Sequence, residues 1–179
     1  MANLTFQQIA ELLSQPAPLQ LAGRDLSATQ LIGAKMRGAN LRRANFNDAN
    51  VSKADLINAN LVEAQLIEAV AESALLLGAD LTRANLMNAN FYRADLRRAD
   101  LTDSNLSGTE FGEANLSGAN LVNANLRGAI FVGANLTGAN LTGAKCIMGQ
   151  FSDANLTAAT LPDGTLYVPP PPEPPEPED

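Results

Sequence analysis

Between residues 26 and 161 the large apolar side chains return every five residues, and a small residue, nearly always Ala, stands two places before each of them. Centring each phrase on its large residue puts the centres at Leu31, Met36, Leu41, Phe46, Val51, Leu56 and so on to Leu161, a run of 27. Of these, 25 are Leu, Phe, Val or Met, only Ala71 and Cys146 departing, and 23 of the preceding small positions are Ala. The other four are Thr29, Ser104, Thr109 and Gly149. Leu26 extends the series, although Arg24 replaces its small residue. A period of five matches neither an α-helix, at 3.6, nor a flat strand, at 2.0. It suits a chain that turns a corner in every phrase and points one small and one large side chain inward each time. The remaining three positions face outward and collect Asn, Asp, Thr, Arg and Gly. Stacked coils of such phrases pair their backbones with one another, leaving unpaired groups only at the ends.

Phe91, Phe111, Phe131 and Phe151 are all centres and lie 20 residues apart, which predicts four phrases per coil and one column of stacked rings. With Leu26 included, the centres make about seven coils, on the order of 34 Å tall at the ~4.8 Å strand spacing. The same register stacks Arg43, Glu63, Arg83 and Asp103 into a column of alternating charge. It also predicts two amide columns, Asn45, Asn85, Asn105 and Asn125 in one and Asn40, Asn60, Asn120 and Asn140 in the other.

The phrases "ADLTRANLMNANFYRADLRRADL" (79–101) and "ANLSGANLVNANLRGAIFVGANLTGANL" (114–141) resemble the pentapeptide-repeat family, whose consensus is A(D/N)LXX. The resemblance implies a right-handed quadrilateral β-helix, an all-β solenoid with four repeats per coil. The N-terminal segment, the repeat style and the "LPDG" ending look like short cyanobacterial members. Two stretches depart from the consensus. Around 68–80 the centre is Ala71, and Val70, Leu75 and Leu77 place apolar groups outward, so the third coil is expected to be underpacked or distorted. Near 143–151 Cys146 occupies a centre as a small core residue and Gly149 takes the inward small place.

The ends need caps. "TFQQIAELLSQP" carries a capping-box pattern at Thr5 and Gln8, a helical stripe of Phe6, Ile9, Leu12 and Leu13, and a stop at Pro16, predicting a short helix over 5–14. Residues 1–20 therefore form a helical cap, 21–161 the β-helix, and 162–179 a turn followed by a proline-rich acidic tail. The helix is read as a lid on the first coil; its lack of Lys and Arg argues against the alternative, an anionic-membrane anchor. At the other end, "PDG" is a turn signal, "TLYV" is placed to cover the last coil, and "PPPPEPPEPED" favours polyproline II. That tail reads either as a solubilising segment or as a docking peptide through Pro169, Pro170, Pro171, Pro172 and Glu173.

Composition narrows the function. Aromatics are 4 % of the 179 residues and Trp is absent, so the core must be narrow and built from Ala and Leu. The lone cysteine excludes an internal disulfide and fits a reducing, cytoplasmic setting. No stretch reads as a secretory signal or membrane span. Without any His, metal-ligand cluster, phosphate loop or nucleophile elbow, no catalytic residue, cofactor or metal site is assigned and an enzyme is disfavoured. The net charge of −7 lies mostly in the tail: five of the 19 acids follow Pro162, leaving 14 against 12 basic residues, or −2, in the body. That balance disfavours direct nucleic-acid binding. It also weakens a role that the family resemblance implies for one branch, a DNA mimic binding DNA gyrase, because Arg42, Arg43, Arg93, Arg97 and Arg98 interrupt any negative stripe. The reading that remains is a scaffold or adaptor, a monomer or weak homodimer, whose partner is another protein. Ile57, Leu75 and Leu77, with Arg97 and Arg98 above them, form its candidate docking face.

Overall fold

A computed structural model describes residues 18–169 apart from Ser152, together with Gln8, Glu11 and Ser14. Gln8 and Glu11 are helical and the Ser14 hydroxyl donates to the Glu11 carbonyl at 2.8 Å; the rest of the expected helix over 5–14 lies outside the described residues. From Gln20 onward the chain winds into a four-sided tower in which each residue before a centre forms a parallel bridge with the residue 20 further on, beginning at Gln20 and Asn40. The four walls are identified below by one centre each: Phe111, Leu76, Leu81 and Leu86.

One phrase explains all. In the phrase centred on Met36, the centre N–H donates up to Asp55 O, the Gly38 N–H donates up to Ile57 O, and the centre carbonyl accepts the turn bond from Ala39 N–H at 3.1 Å. The residue before a centre donates down, as Asn40 does to Leu19 O. Four of the five N–H groups are thereby paired within the backbone. The fifth, just after the centre, is taken by the side chain at the Asn/Asp position: Ile57 N–H donates to Asp55 Oδ1 at 3.2 Å and Tyr92 N–H to Asn90 Oδ1 at 2.8 Å. The preference for Asn or Asp at that position is therefore an Asx turn repeated along the tower. From Gly23 to Gly143, and again at Ala158, the second residue after a centre has positive φ, between 52° and 71°, as the third residue of a type II turn requires.

The interior holds the paired small and large residues. From Met36 to Leu141 every centre is at most 1 % exposed. The three hydroxyl residues at small positions are also buried, and each donates to a carbonyl: Thr29 to Leu26, Ser104 to Leu101 and Thr109 to Leu86. Phe91, Phe111, Phe131 and Phe151 form one stack with centroid separations of 5.7, 5.2 and 4.8 Å. Because the stack occupies one wall's core, the four-phrase coil is visible in the ring positions themselves.

Two expectations need correction. The coil around Ala71 is not distorted: Val51 N–H to Val70 O and Ala71 N–H to Asn90 O are 2.8 and 2.7 Å, as elsewhere. Truncating an inward side chain does not move a backbone held by coils on both sides. The break lies instead at 146–151. Cys146 is half-buried rather than a core residue, and Met148–Phe151 form a 3-10 turn in place of the regular corner; the inward place expected of Gly149 lies outside what is described. The bridge between 130 and 150 is missing from the series. The Gln150 side chain takes over its pairing, donating to Leu126 O at 2.9 Å and Ala129 O at 2.8 Å while accepting from Ile147 N–H. Phe151 then returns to the stack at 3 % exposure.

The tower closes with a hairpin. After the turn at Pro162 and Asp163, the chain folds back antiparallel on the last coil, with Leu166 bridging Thr160 and Tyr167 N–H donating to Ala159 O. Tyr167 packs against the core, as the cover expected of "TLYV".

Candidate functional site

The residues singled out for docking fall on the Leu76 wall. Ile57 and Leu77 are vertical neighbours, joined by the bond from Asn58 N–H to Leu77 O, and Arg97 continues the column through Gly78 N–H to Arg97 O. Leu75 stands beside them in the Asn/Asp column, bridged to Asp55 below and Asp95 above. Leu75 is 39 % exposed, Ile57 and Leu77 are half-buried, and Arg97 and Arg98 are exposed. Two ion pairs bracket the apolar group: Arg37 to Asp55 at 3.0 Å below it and Arg97 to Asp95 at 2.7 Å above it. The Asp95 carboxyl is held below its ordinary range chiefly by the hydrogen bond from Arg97. Arg98 makes no ion pair among the described residues.

Leu75 is unusual in a second way. Its position normally carries the Asn or Asp that closes the Asx turn, so an apolar residue there forfeits a hydrogen bond to the following turn and puts hydrocarbon in water. Val70 and Ile130 do the same on the Phe111 wall, where Ile130 and Val132 are 46 % and 57 % exposed. The sequence reading missed this second patch. Its signal was the same apolar substitution at the Asn/Asp place. Tyr92 lies below it, its ring over Gly112 and its hydroxyl donating to Glu113 at 2.6 Å. Glu113 also accepts from Arg93 at 2.7 Å. The Tyr92 hydroxyl is pushed up by its bond to Glu113, and Glu113 is pulled down first by Tyr92 and then by Arg93.

The expected charge column is formed only in part. Glu63 receives Arg43 from below and Arg83 from above, but the Arg83–Asp103 rung makes no ion pair. The first amide column is bonded only from Gln65 upward: Asn85, Asn105 and Asn125 donate in turn to Gln65, Asn85 and Asn105 at 3.3, 2.9 and 3.0 Å, while Asn45 donates down to Asp25 and Gln65 to the Glu63 carbonyl. In the other, Asn40 and Asn120 donate down to Gln20 and Asp100, and no amide rung joins Asn60 or Asn140 to its vertical neighbours. Pro169 is exposed; Pro170, Pro171, Pro172 and Glu173 lie outside the described residues.

An open cleft of about 550 Å³ lies at the 146–151 break, lined by Arg127, Lys145, Cys146 and Gln150 among others. Burial pushes the Cys146 thiol up, which disfavours the thiolate a nucleophile needs. Among the described residues no group of three or more Cys, Asp or Glu side chains is placed to hold a metal, and no helix is long and apolar enough to cross a membrane.

The family model for pentapeptide repeats matches in 8 copies, over residues 25–61, 64–103, 94–131, 104–143 and 119–157. No curated protein sequence matches the chain. Among solved structures, full-length QnrB1, a plasmid-mediated fluoroquinolone resistance protein, is similar with a TM-score of 0.68 at 23 % identity, over 79 % of this chain and 81 % of that one. A trypsin-treated form of QnrB1 gives 0.51 at 27 % identity, over 79 % and 67 % of the two chains. HetL, a pentapeptide repeat protein involved in heterocyst differentiation regulation in the cyanobacterium Nostoc sp., gives 0.49 at 24 % identity over 93 % and 100 %.

Proposed function

Because the chain belongs to the pentapeptide-repeat family, whose members form right-handed quadrilateral β-helices, we propose that it is a non-catalytic scaffold or adaptor that holds another protein against one wall. The observation that carries this reading is the Leu75 patch. There an apolar side chain replaces a turn-closing amide, giving up a bond worth ~0.5–1.5 kcal/mol, and stands between two oriented ion pairs. A stable tower gains nothing from that exchange; a contact surface does, since burying apolar area against a partner recovers free energy. The rigid wall costs little entropy on docking, because its backbone is already fixed. The lone cysteine fits a reducing, cytoplasmic setting for this role, and the repeat style a cyanobacterial one.

A DNA mimic that binds DNA gyrase is the second reading. Its support is the likeness to a fluoroquinolone resistance protein. Against it stand the basic side chains that neutralise the walls, five of which enter ion pairs: Arg37, Arg43, Arg83, Arg93 and Arg97.

Capture from a cyanobacterial lysate with the whole chain, compared with Leu77→Glu, tests the scaffold. A retained protein lost on Leu77→Glu supports docking at this wall. Retention unchanged by Leu77→Glu overturns it, and a gyrase subunit retained by both would install the second reading.

A further inference from the structure

Charge on the Phe111 wall is incompletely paired, and its apolar side chains stand at the two ends. The wall keeps one register through the bridges Gln30–Asn50, Asn50–Val70, Val70–Asn90, Asn90–Glu110 and Glu110–Ile130. From bottom to top, the column after the centres reads Ile32, Ser52, Glu72, Tyr92, Gly112, Val132. The next column reads Gly33, Lys53, Ser73, Arg93, Glu113, Gly133. Ile32 is 59 % exposed at the lower end, and Ile130 and Val132 are the exposed apolar residues at the upper end. Between them Arg93 holds Glu113, which also accepts from Tyr92. Lys53 and Glu72 are exposed and enter no ion pair among the described residues.

We propose that a second copy of this chain docks antiparallel on this wall, about a two-fold axis lying across it between the Ala71 and Phe91 coils. Counted from the Leu31 level, such an axis sets the first coil against the sixth, the second against the fifth and the third against the fourth. Ile32 then meets Val132 of the second copy, with Ile130 alongside, and Gly33 and Gly133 leave room for close approach at both ends. Lys53 meets Glu113 of the second copy, and Glu72 meets its Tyr92 and Arg93. No internal pair has to break. Arg93 gives only its Nε to Glu113, so its remaining N–H groups are open to Glu72, and the Glu113 carboxylate can accept further bonds. Each Arg93–Glu113 pair is thereby extended at both ends into a row of four alternating charges, and the two-fold makes two such rows.

Charge also selects the register. Sliding the second copy by one coil puts Lys53 on its Arg93 in one direction, and Arg93 on its Arg93 in the other. A parallel pairing sets each coil against itself and brings Glu110 of each chain toward Glu113 of the other. Like charges facing one another suppress such arrangements. Six coils with three outward residues each fall just short of the ~20–30 residues a side of a standard interface, so the dimer is weak and reversible. This contact goes beyond the docking reading and does not rest on it, since Ile57, Leu75 and Leu77 belong to the neighbouring phrases.

The test uses the full chain with Cys146→Ser, which removes its only thiol. On that background Ile32→Cys and Val132→Cys are each treated with a bismaleimide spanning about the ~10 Å between packed sheets, separately and as an equal mixture. Both positions are exposed, so neither change touches the core. The mixture should give the crossed 32–132 dimer in large excess over product from either variant alone, because like positions lie ~24 Å apart across the axis. Adding Lys53→Glu should remove most of the crossed product, and Lys53→Arg should keep it. Equal product in all three samples means chance collision, and product mainly from the single variants means a parallel pairing; either overturns the proposal. Absence of crossed product, or a crossed yield indifferent to Lys53→Glu, overturns it as well.

Discussion

Ile130 shows what a single outward side chain decides in this tower. At the Asn/Asp position it leaves the Val132 N–H without the Asx oxygen that its counterparts receive, and it stands 46 % exposed beside Val132. Ile130→Asn should therefore stabilise the fold by roughly 0.5–1.5 kcal/mol, the net worth of one recovered hydrogen bond, seen as a higher urea midpoint with the slope unchanged. A fall in midpoint would mean that Ile130 packs productively against its neighbours. Inward positions behave differently. The hydroxyls of Thr29, Ser104 and Thr109 are tolerated in the core because each reaches a carbonyl.

At the scale of the wall and the corner, charge is arranged in short local pairs. Glu63, Asp95 and Glu113 are held below the ordinary carboxylate range by Arg43, by Arg97, and by Tyr92 with Arg93 respectively. A carboxyl depressed in the folded state stabilises fully above its unfolded value, about 4, and that stabilisation is lost as pH falls through the folded value. Tyr92, pushed above its ordinary value near 10 by Glu113, works oppositely: its contribution holds below its unfolded value and disappears as pH rises through the folded one. With no His in the chain, no side chain has its ordinary value near pH 6.5. The thermal midpoint should stay flat from about pH 5 to 9 and fall on both sides; a step near pH 6.5 would contradict this assignment of groups.

The whole molecule is a stack in which each coil contacts mainly its neighbours, so stability is graded along it. The middle coils are bonded above and below. The last coil lacks the 130/150 bridge, leans on the Gln150 side chain, and flanks a half-buried Cys146 and an open cleft. Native-state hydrogen exchange should find the amides of Leu136 and Leu141 opening at lower free energy than those of Leu81 and Leu86. Equal protection along the tower would mean that it opens only as one unit.

By itself the sequence determined the solenoid, the five-residue corner, the four-phrase coil and the Phe column, because an unbroken period admits one way of stacking inward residues. It also placed Ile57, Leu75 and Leu77 on one wall, since register fixes vertical neighbours. Only the tertiary structure decided which columns bond. Whether Arg83 meets Asp103, or Asn60 meets Asn40, depends on side-chain reach and rotamer, which the register does not fix. Nor did the period foresee the break at 146–151, where a centre and its small partner were both present in sequence yet the chain took a 3-10 turn. There Cys146 is smaller than Leu, Gly149 is freer than Ala, and Gln150 supplied bonds that the backbone gave up. Where the tail leaves the tower was likewise fixed by the hairpin, through pairing of Leu166 with Thr160 that no local pattern specifies.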